Sequence, residues 1–206
     1  MENTQTGSDL KTFIFIGRSG CGKGSQVERM MAHYTEKGVI NDGNPCLRVE
    51  TGARFREIAL EESYLAKMVQ VTIERGERMP DNFAIWNWTG LLFEKFTGTE
   101  HLLFDGCPRS LPEAQSLDSF LNFSGRTNPI VVYIDVSREE SKRRLLERGR
   151  KDDEPEDIDR RLDWFDRDVL PAVEYYRNNP KYNFIELDGE QARDKIHEDL
   201  VAKLES

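Results

Sequence analysis

Apolar residues along the chain fall into short continuous runs, separated by amphipathic stretches long enough to form helices. The runs at 13–16, 101–104 and 130–134 are rich in Phe, Leu, Ile and Val, as is typical of strands buried on both faces of a sheet. Residues 46–49 and 182–187 are further strand candidates. Because helical stretches separate these runs, the pattern predicts an α/β fold in which helices cover both faces of a parallel sheet, a sandwich of three layers.

The stretches between the runs contain recognisable helix ends and one loop. Ser137 and Glu140 predict a capping box, and Thr51 predicts the cap of a helix that begins just after it. Pro171 predicts a break in a later helix, because proline cannot donate a backbone hydrogen bond. The charged residues at 150–157 predict a loop before that helix.

The segment at 17–23, Gly-Arg-Ser-Gly-Cys-Gly-Lys, stands between the first apolar run and a helical stretch. Its glycines allow successive backbone N–H groups to turn toward an anion, and the helix N-terminus adds partial positive charge. Lys23 brings a full charge to the β- and γ-phosphates. These features predict a nucleotide-binding phosphate loop, whereas a glycine-rich turn without a ligand would not require the lysine. The loop residues expected to bind ATP are Gly20, Cys21, Gly22, Lys23, Gly24 and Ser25.

Gly24 occupies the position where a Ser or Thr usually follows the lysine, and the hydroxyl comes one residue later, at Ser25. Cys21 has two interpretations. Inward N–H groups and the charge of Lys23 would favour the thiolate and make Cys21 reactive. Alternatively, Cys21 is a small residue that fills space.

Asp105 directly follows the apolar run at 101–104. Nucleotide-binding proteins with a phosphate loop place the acidic residue that holds Mg²⁺ at such a strand end, although Asp105 could instead cap the next helix. Arginines also occur at marked positions, and each taken singly would be a solvated surface charge. Together they supply what phosphoryl transfer between two nucleotides requires, namely cations that neutralise the moving group and hold donor and acceptor in line. They are Arg56, Arg109, Arg144, Arg148, Arg150 and Arg161.

In their order and spacing, these motifs resemble those of the adenylate kinase family of nucleoside monophosphate kinases, from residue 13 to about residue 200. Each motif of the chain has a counterpart in that family. The counterparts are the phosphate loop at 17–26, the monophosphate motif at 51–56, the segment closing that pocket at 75–80, an Asp-Gly-Phe-Pro-Arg motif at 105–109, a lid within 144–161, and the turn against the donor adenine at 188–191.

The resemblance implies an enzyme that transfers the γ-phosphoryl group of ATP reversibly to a nucleoside monophosphate, with Mg²⁺. The chain 1–206 would form one P-loop kinase domain. A small helical insertion at about 50–80, here called the flap, would bind the acceptor, and a short segment at about 149–158, here called the lid, would cover the phosphates. Closure of both would exclude water, which otherwise hydrolyses the donor.

The same resemblance assigns roles residue by residue. Lys23, Arg109, Arg148, Arg150 and Arg161 would surround the phosphates as catalytic cations. Besides the loop, ATP would contact Arg144, Arg148 and the backbone of Gln191. The acceptor would contact Thr51, Arg56, Glu77, Arg78, Met79, Gly106, Cys107, Pro108, Arg109, Glu113, Arg150 and Arg161. Mg²⁺ would be held by Asp105 and Ser25, directly or through water.

Three positions depart from the family pattern, and the lid is of the short type without zinc-binding cysteines. Ala53 replaces an acidic residue, Cys107 an aromatic one, and Glu113 the glutamine that meets the acceptor base. A glutamine amide donates and accepts at adenine, whereas an ionised carboxylate only accepts and suits the two donors of guanine. Gln115 or a protonated Glu113 could also meet the base. Because the rest of the motif set resembles that of an adenylate kinase, AMP is the expected acceptor, with GMP, UMP and CMP as alternatives. A regulatory module that binds nucleotides without turnover is the alternative of a different class.

Composition limits the class of protein further. A chain of 206 residues can bury one sizeable core, and a net charge of −9 argues against nucleic acid as a partner, so the expected partners are small nucleotides. The three cysteines show no paired spacing, which argues against a disulfide framework or a cysteine zinc site. Residues 1–9 lack a secretory pattern and no run reaches transmembrane length. The sequence thus predicts a cytoplasmic protein without a membrane partner, and we expect a monomer.

Overall fold

Five parallel strands form one sheet at the centre of the computed structural model, which describes residues 10–150 and 153–205. The expectation about residues 1–9, and residues 151–152 of the lid, lie outside the described residues. The strands are β1 (Thr12–Gly17), β2 (Cys46–Glu50), β3 (His101–Asp105), β4 (Ile130–Asp135) and β5 (Asn183–Asp188), in the sheet order β2-β3-β1-β4-β5. The predicted α/β fold with a parallel sheet is confirmed.

Helices connect the strands and cover the sheet. They are α1 (Lys23–Glu36), α2 (Thr51–Ile58), α3 (Tyr64–Glu74), α4 (Asp81–Lys95), α5 (Leu111–Phe123), α6 (Arg138–Arg148), α7 (Pro155–Trp164), α8 (Leu170–Arg177) and α9 (Arg193–Leu204). Helices α2 and α3 occupy the segment predicted as the flap. Among the described residues, no helix is both long enough and apolar enough to cross a membrane.

The sheet separates two apolar cores, since alternate side chains of a strand point to opposite faces. On one face Ile14 of β1 packs in a cluster with Trp88 of α4, and helices α5 and α8 contribute to the same cluster. On the other face Phe15 packs in a cluster with Val27 of α1 and Leu200 of α9. Both faces of the central strands are therefore dry, which explains their continuous apolar runs.

The predicted cap at Thr51 is wrong. Helix α2 begins at Thr51 itself, and Glu50 precedes it in an extended conformation. The Thr51 hydroxyl instead donates to the carbonyl oxygen of Gly106 at 3.2 Å. The Thr51 hydroxyl thus bonds to a residue that is distant in sequence instead of capping its own helix.

Half of the predicted capping box at Ser137 forms. The Ser137 hydroxyl accepts from the N–H of Glu140 at 3.3 Å, but the N–H of Ser137 donates to Glu190 at 3.1 Å rather than to Glu140. The Glu140 carboxylate is held by Arg143 and Arg144 on its own helix. These charged partners are stronger donors than a backbone N–H, so the carboxylate faces them.

The loop and the helix break predicted after residue 149 also need correction. Helix α7 begins at Pro155, inside the segment predicted as a charged loop, because proline at a first helical position loses no hydrogen bond. Pro171 does not end the later helix. A π-helical turn, Phe165–Val169, precedes it and joins α7 to α8, and this wider turn accommodates the missing N–H of Pro171.

Parallel strands bring their carboxyl ends to one edge of the sheet. In the register of the sheet, Asp105 of β3 lies beside Phe15 of β1 on one side and Glu50 of β2 on the other. The glycine-rich loop leaves β1 at the same edge, next to β4, where Gly17 pairs with Ile134. Ligands of parallel α/β sheets bind at this edge, so the fold places the predicted chemistry together.

Candidate active site

A cleft of about 1010 Å³ opens at the carboxyl ends of the strands. Small-molecule sites commonly have volumes of about 300–1,000 Å³, so this cleft has room for more than one small ligand. Most of the site residues predicted from the sequence line it. These are Gly20, Cys21, Gly22, Lys23, Gly24, Ser25, Arg56, Glu77, Met79, Asp105, Gly106, Arg109, Arg144, Arg148, Arg150, Arg161 and Gln191.

The glycine-rich loop has the backbone that an anion site needs. Gly20 and Gly22 have φ values of +85° and +87°, in the left-handed region that favours glycine. Helix α1 begins at Lys23 directly after Gly22, and no side chain caps it within the described residues. The N–H groups of its first turn are therefore available to an anion in the cleft.

Arg18 anchors this loop to the rest of the fold. Its Nη1 donates to the carbonyl oxygen of Val136 at 2.9 Å and its Nη2 donates to Asp166 at 2.5 Å. The guanidinium carbon also lies 4.8 Å from the centroid of the Phe165 ring. The loop is thus tied to the residue that follows β4 and to the π-helical turn.

Positive charge dominates the cleft although the chain as a whole is acidic. Among the described residues that line the cleft, arginine and lysine side chains outnumber carboxylates, eleven to five. Within residues 10–150 and 153–205, no carboxylate lies at ion-pair distance from Lys23, Arg109 or Arg150. Cations that lack a protein counter-ion in a concave site favour a polyanionic ligand.

Other cations of the cleft are held by acidic residues. Asp153, whose side chain is 0% exposed, accepts from Arg148 at 2.8 Å and from Arg161 at 2.7 Å. Burial alone would raise the pKa of Asp153, but these hydrogen bonds lower it to about 2. Glu140 pairs with Arg144 at 2.6 Å. The two arginines that pair with Asp153 belong to α6 and α7. This carboxylate therefore links arginines that lie before and after the lid.

Asp105 faces the cleft and is paired with a residue that the sequence analysis missed. Its Oδ2 accepts from Arg48 of β2 at 2.6 Å, and Arg48 also lies 3.2 Å from Glu50. Asp105 and Ser25 both line the cleft and present carboxylate and hydroxyl oxygens. Mg²⁺ prefers oxygen ligands and usually binds one or two carboxylates plus substrate phosphates, so this donor set fits that metal.

On the flap side, Thr51 and Arg109 converge on one carbonyl group. The Arg109 Nε donates to the carbonyl oxygen of Gly106 at 2.6 Å, and Thr51 donates to the same oxygen. Arg56 extends into the cleft from α2 and lies 3.6 Å from Glu50. The Arg109 side chain is therefore held at its Nε, and the rest of the guanidinium is available to a ligand in the cleft.

Five predicted site residues do not line the main cleft. Thr51 is buried beside Gly106, and Cys107 is buried in the core below it. Pro108 lines a smaller adjoining cavity of about 40 Å³. Arg78 points to the π-helical turn, where it donates to Asp168 at 3.0 Å. The fifth is Glu113, which is buried.

Glu113 is 0% exposed and its carboxylate lies behind the turn that carries Arg109. Its Oε2 accepts from the backbone N–H of Arg109 at 2.6 Å, while its Oε1 has no hydrogen-bond partner within the described structure. Burial raises the pKa of Glu113 to about 7, although the Arg109 N–H and guanidinium oppose that rise. In this structure Glu113 braces the Arg109 backbone and is not exposed to an acceptor base.

Cys21 is 1% exposed and packs in the core cluster of Phe15 and Val27. A Cβ added to Gly17 would lie 2.6 Å from its Sγ, so the thiol fills the space beside the loop. Burial of this kind favours the space-filling interpretation over the reactive thiol, because reactive cysteines are partly exposed.

The structure also adds Trp164 to the cleft wall. Arg161 and Trp164 are three residues apart on α7, so the spacing alone could have indicated a shared face. Arg48 stands between Leu47 and Val49 on β2, where strand alternation places its side chain on the same side as Glu50. Neither residue belongs to one of the sequence motifs, so the motifs alone do not predict a place for them in the site.

Comparisons with known proteins agree with this geometry. The family model described as adenylate kinase matches residues 15–181. The adenylate kinase of Bacteroides fragilis is 30% identical over 201 residues, covering 96% of this chain and 100% of that protein. The adenylate kinase of Phocaeicola vulgatus is 31% identical over 200 residues, covering 95% and 99%. Adenylate kinase 1 of a Nostoc species is 29% identical over 197 residues, covering 96% and 100%.

The buried Glu113 predicts a pH dependence of stability. Its pKa of about 7 in the folded protein exceeds the usual value of 4.5, so between these values the folded chain keeps a proton that the unfolded chain has released. Stability should therefore fall as pH rises from 4.5 to 7. Glu113→Gln should remove this loss of unfolding free energy, which is on the order of 3 kcal/mol. Urea unfolding from pH 4.5 to 7.5 measures it, with exposed Glu61→Gln as the control. Parallel pH profiles for the parent and Glu113→Gln would contradict the prediction.

Proposed function

This chain belongs to the adenylate kinase family, and we propose that it transfers the γ-phosphoryl group of ATP reversibly to AMP, giving two molecules of ADP. The observation that carries the proposal is the meeting of five cations from distant parts of the chain in one cleft at the strand ends. They are Lys23, Arg109, Arg148, Arg150 and Arg161. Phosphoryl transfer requires little covalent chemistry from the protein, and such cations supply the charge stabilisation that it does require.

The donor ATP is assigned to the glycine-rich loop. Its β- and γ-phosphates would accept from the loop N–H groups and from the first turn of α1, with Lys23 beside them. Arg144 and Arg148 of α6 line the same cleft as the loop. Gln191, which follows β5, also lines the cleft, and its backbone would meet the donor base.

The acceptor is assigned to the flap side. Arg56 and Arg109 would hold its phosphate, while Glu77 and Met79 border the pocket after α3. Thr51 supports this pocket from behind through the Gly106 carbonyl group that also orients Arg109. Holding both phosphates by cations in one cleft aligns the acceptor oxygen with the bond to be broken.

Charge spreads over the transferred phosphoryl group as it moves between the two nucleotides. Arg150 and Arg161 of the lid side, with Arg109 and Lys23, are the groups we assign to stabilise that charge. Asp153 holds Arg148 and Arg161 in place. Since Asp153 holds Arg148 and Arg161 before reaction, these two arginines need little reorganisation in the transition state.

Mg²⁺ bound with ATP would supply additional neutralisation of the β- and γ-phosphate charge. We assign Asp105 and Ser25 as the residues that would hold it, directly or through water. Closure of the flap and the lid would keep water from the γ-phosphate and so favour transfer over hydrolysis.

We further propose that the protein acts as a monomer in the cytoplasm, on small nucleotides rather than on nucleic acid. The net charge of −9 disfavours a polyanionic polymer, whereas the local excess of cations in the cleft accommodates nucleotide phosphates.

The cations of the cleft are expected to be catalytic. Lys23→Met and Arg109→Ala should each lower kcat by a factor of about 10²–10³ or more, because each removes a charge from the transition state. Lys195→Met and Arg177→Ala, which remove the same residue types from α9 and α8 outside the cleft, should retain activity within a factor of about two. A coupled assay for ADP measures both sets. Near-normal turnover in the first pair would contradict the assignment.

Acceptor selectivity separates two roles for Glu113. If its carboxylate read the acceptor base, Glu113→Gln would raise selectivity for AMP over GMP, CMP and UMP. The buried position of Glu113 instead predicts that its substitution leaves the ranking of kcat/KM unchanged, with AMP first in the parent and in the variant. Measuring kcat/KM for the four monophosphates decides. A new ranking in the variant would mean that Glu113 contacts the base, and a parent that prefers another monophosphate would overturn the assignment of AMP.

A further inference from the structure

Trp164, the last residue of α7, lies where the flap, the cleft and the arginine of the acceptor site meet. It is 9% exposed and lines the cleft. Its Nε1–H donates to the carbonyl oxygen of Gly76 at 3.0 Å, across 88 positions of sequence. The guanidinium carbon of Arg109 lies 5.8 Å from the centroid of its ring. One side chain thus contacts both the end of the flap and a phosphate-binding cation.

The contact with Gly76 is part of a longer seam between α7 and the end of the flap. Arg160 Nε donates to the carbonyl oxygen of Arg75 at 2.7 Å. Gly76 has a φ of +63°, and a Cβ added to it would lie 2.6 Å from the carbonyl oxygen of Asp157. The backbone of the flap therefore approaches α7 too closely for any other residue at position 76, and the turn is fixed against this helix.

This seam ends at the residues that border the acceptor pocket. Glu77 and Met79 line the cleft directly after Gly76, and Arg78 between them is held by Asp168 beyond Trp164. A shift of the Gly76 carbonyl group would move all three residues. The indole N–H is thus in a position to set how the flap meets the acceptor.

The ring of Trp164 contacts the other partner, the guanidinium of Arg109. An arginine over an aromatic face is attracted by the ring quadrupole, and the attraction is stronger where water is excluded. Arg109 is fixed at its Nε by Gly106, at its backbone N–H by Glu113, and on the face of its guanidinium by Trp164. With these supports the guanidinium lines the cleft, and no carboxylate of the described residues lies at ion-pair distance from it.

We propose that Trp164 is a positioning residue for the acceptor: its N–H fixes the end of the flap and its ring holds Arg109 toward the acceptor phosphate. This deepens the proposed function and rests on it, since it assigns Trp164 to the same site. The two parts of the side chain have separate effects. The N–H governs acceptor binding, and the ring governs the orientation of the cation that acts in the transition state.

Two substitutions separate these parts. Trp164→Phe keeps an aromatic ring and removes the N–H, so KM for AMP should rise about fivefold with kcat within a factor of two. Trp164→Leu also removes the ring, so kcat should fall about tenfold in addition. KM for ATP should stay within a factor of two in both variants. Calorimetry with AMP should show the fivefold loss of affinity in the Phe variant independently of turnover.

Trp86 provides a matched control on α4. Arg54 lies 5.8 Å from its ring centroid, the same distance as for Arg109 and Trp164, but Trp86 is 55% exposed and outside the cleft wall. Trp86→Phe and Trp86→Leu should leave both KM values and kcat unchanged. Circular dichroism and urea unfolding establish that each variant is folded, and Trp164→Phe alone decides the role of the N–H if the Leu variant does not fold.

The inference is overturned if Trp164→Phe binds AMP as tightly as the parent does. It is also overturned if the Phe variant loses kcat and both KM values together, as a structural defect would produce. An inactive parent would contradict the proposed function, whereas an active parent with unaffected Trp164 variants would contradict only this inference.

Discussion

Mutual repulsion among cations at one edge of the sheet is the constraint on which the arrangement of this site depends. Lys23, the arginine of the flap, Arg109 before α5, and the arginines of α6 and α7 line a single cleft, where like charges repel more strongly than they do in bulk water. The chain offsets this repulsion with carboxylates placed beside selected arginines. Asp153 forms ion pairs with Arg148 and Arg161. Glu140 pairs with Arg144, and Asp105 pairs with Arg48.

The distribution of these carboxylates explains how one fold serves both stability and chemistry. Asp153 is buried and binds two arginines from different helices, so it holds the lid side together. Lys23, Arg109 and Arg150 receive no such partner from the described residues, so their charge is available to an anionic ligand. Arg109 is supported instead by groups that leave its charge intact: a carbonyl oxygen, an aromatic face, and a carboxylate on its backbone N–H. A cation held in this way keeps its affinity for an anionic ligand.

Local sequence was sufficient for the parts of the site that one element builds alone. The phosphate loop follows from the spacing of its glycines and Lys23 between a strand and a helix, and Asp105 follows from its place at a strand end. The structure brings both to the same edge because the sheet is parallel. The pairing of Arg48 with Asp105 could not be predicted, since it requires the register of β2 against β3. The same holds for the contact of Trp164 with Gly76, and for Glu113, whose side chain turns to the Arg109 backbone and not to the cleft.

We expect the protein to pass a phosphoryl group from one nucleotide to another and not to water. Phosphorus NMR tests it most directly, because ATP, AMP, ADP and inorganic phosphate give separate resonances in one sample. With ATP, AMP and Mg²⁺ present, the account predicts that ADP resonances grow to an equilibrium at which ATP and AMP persist, with no resonance of inorganic phosphate. Loss of ATP matched by growth of inorganic phosphate, with AMP unchanged, would contradict it.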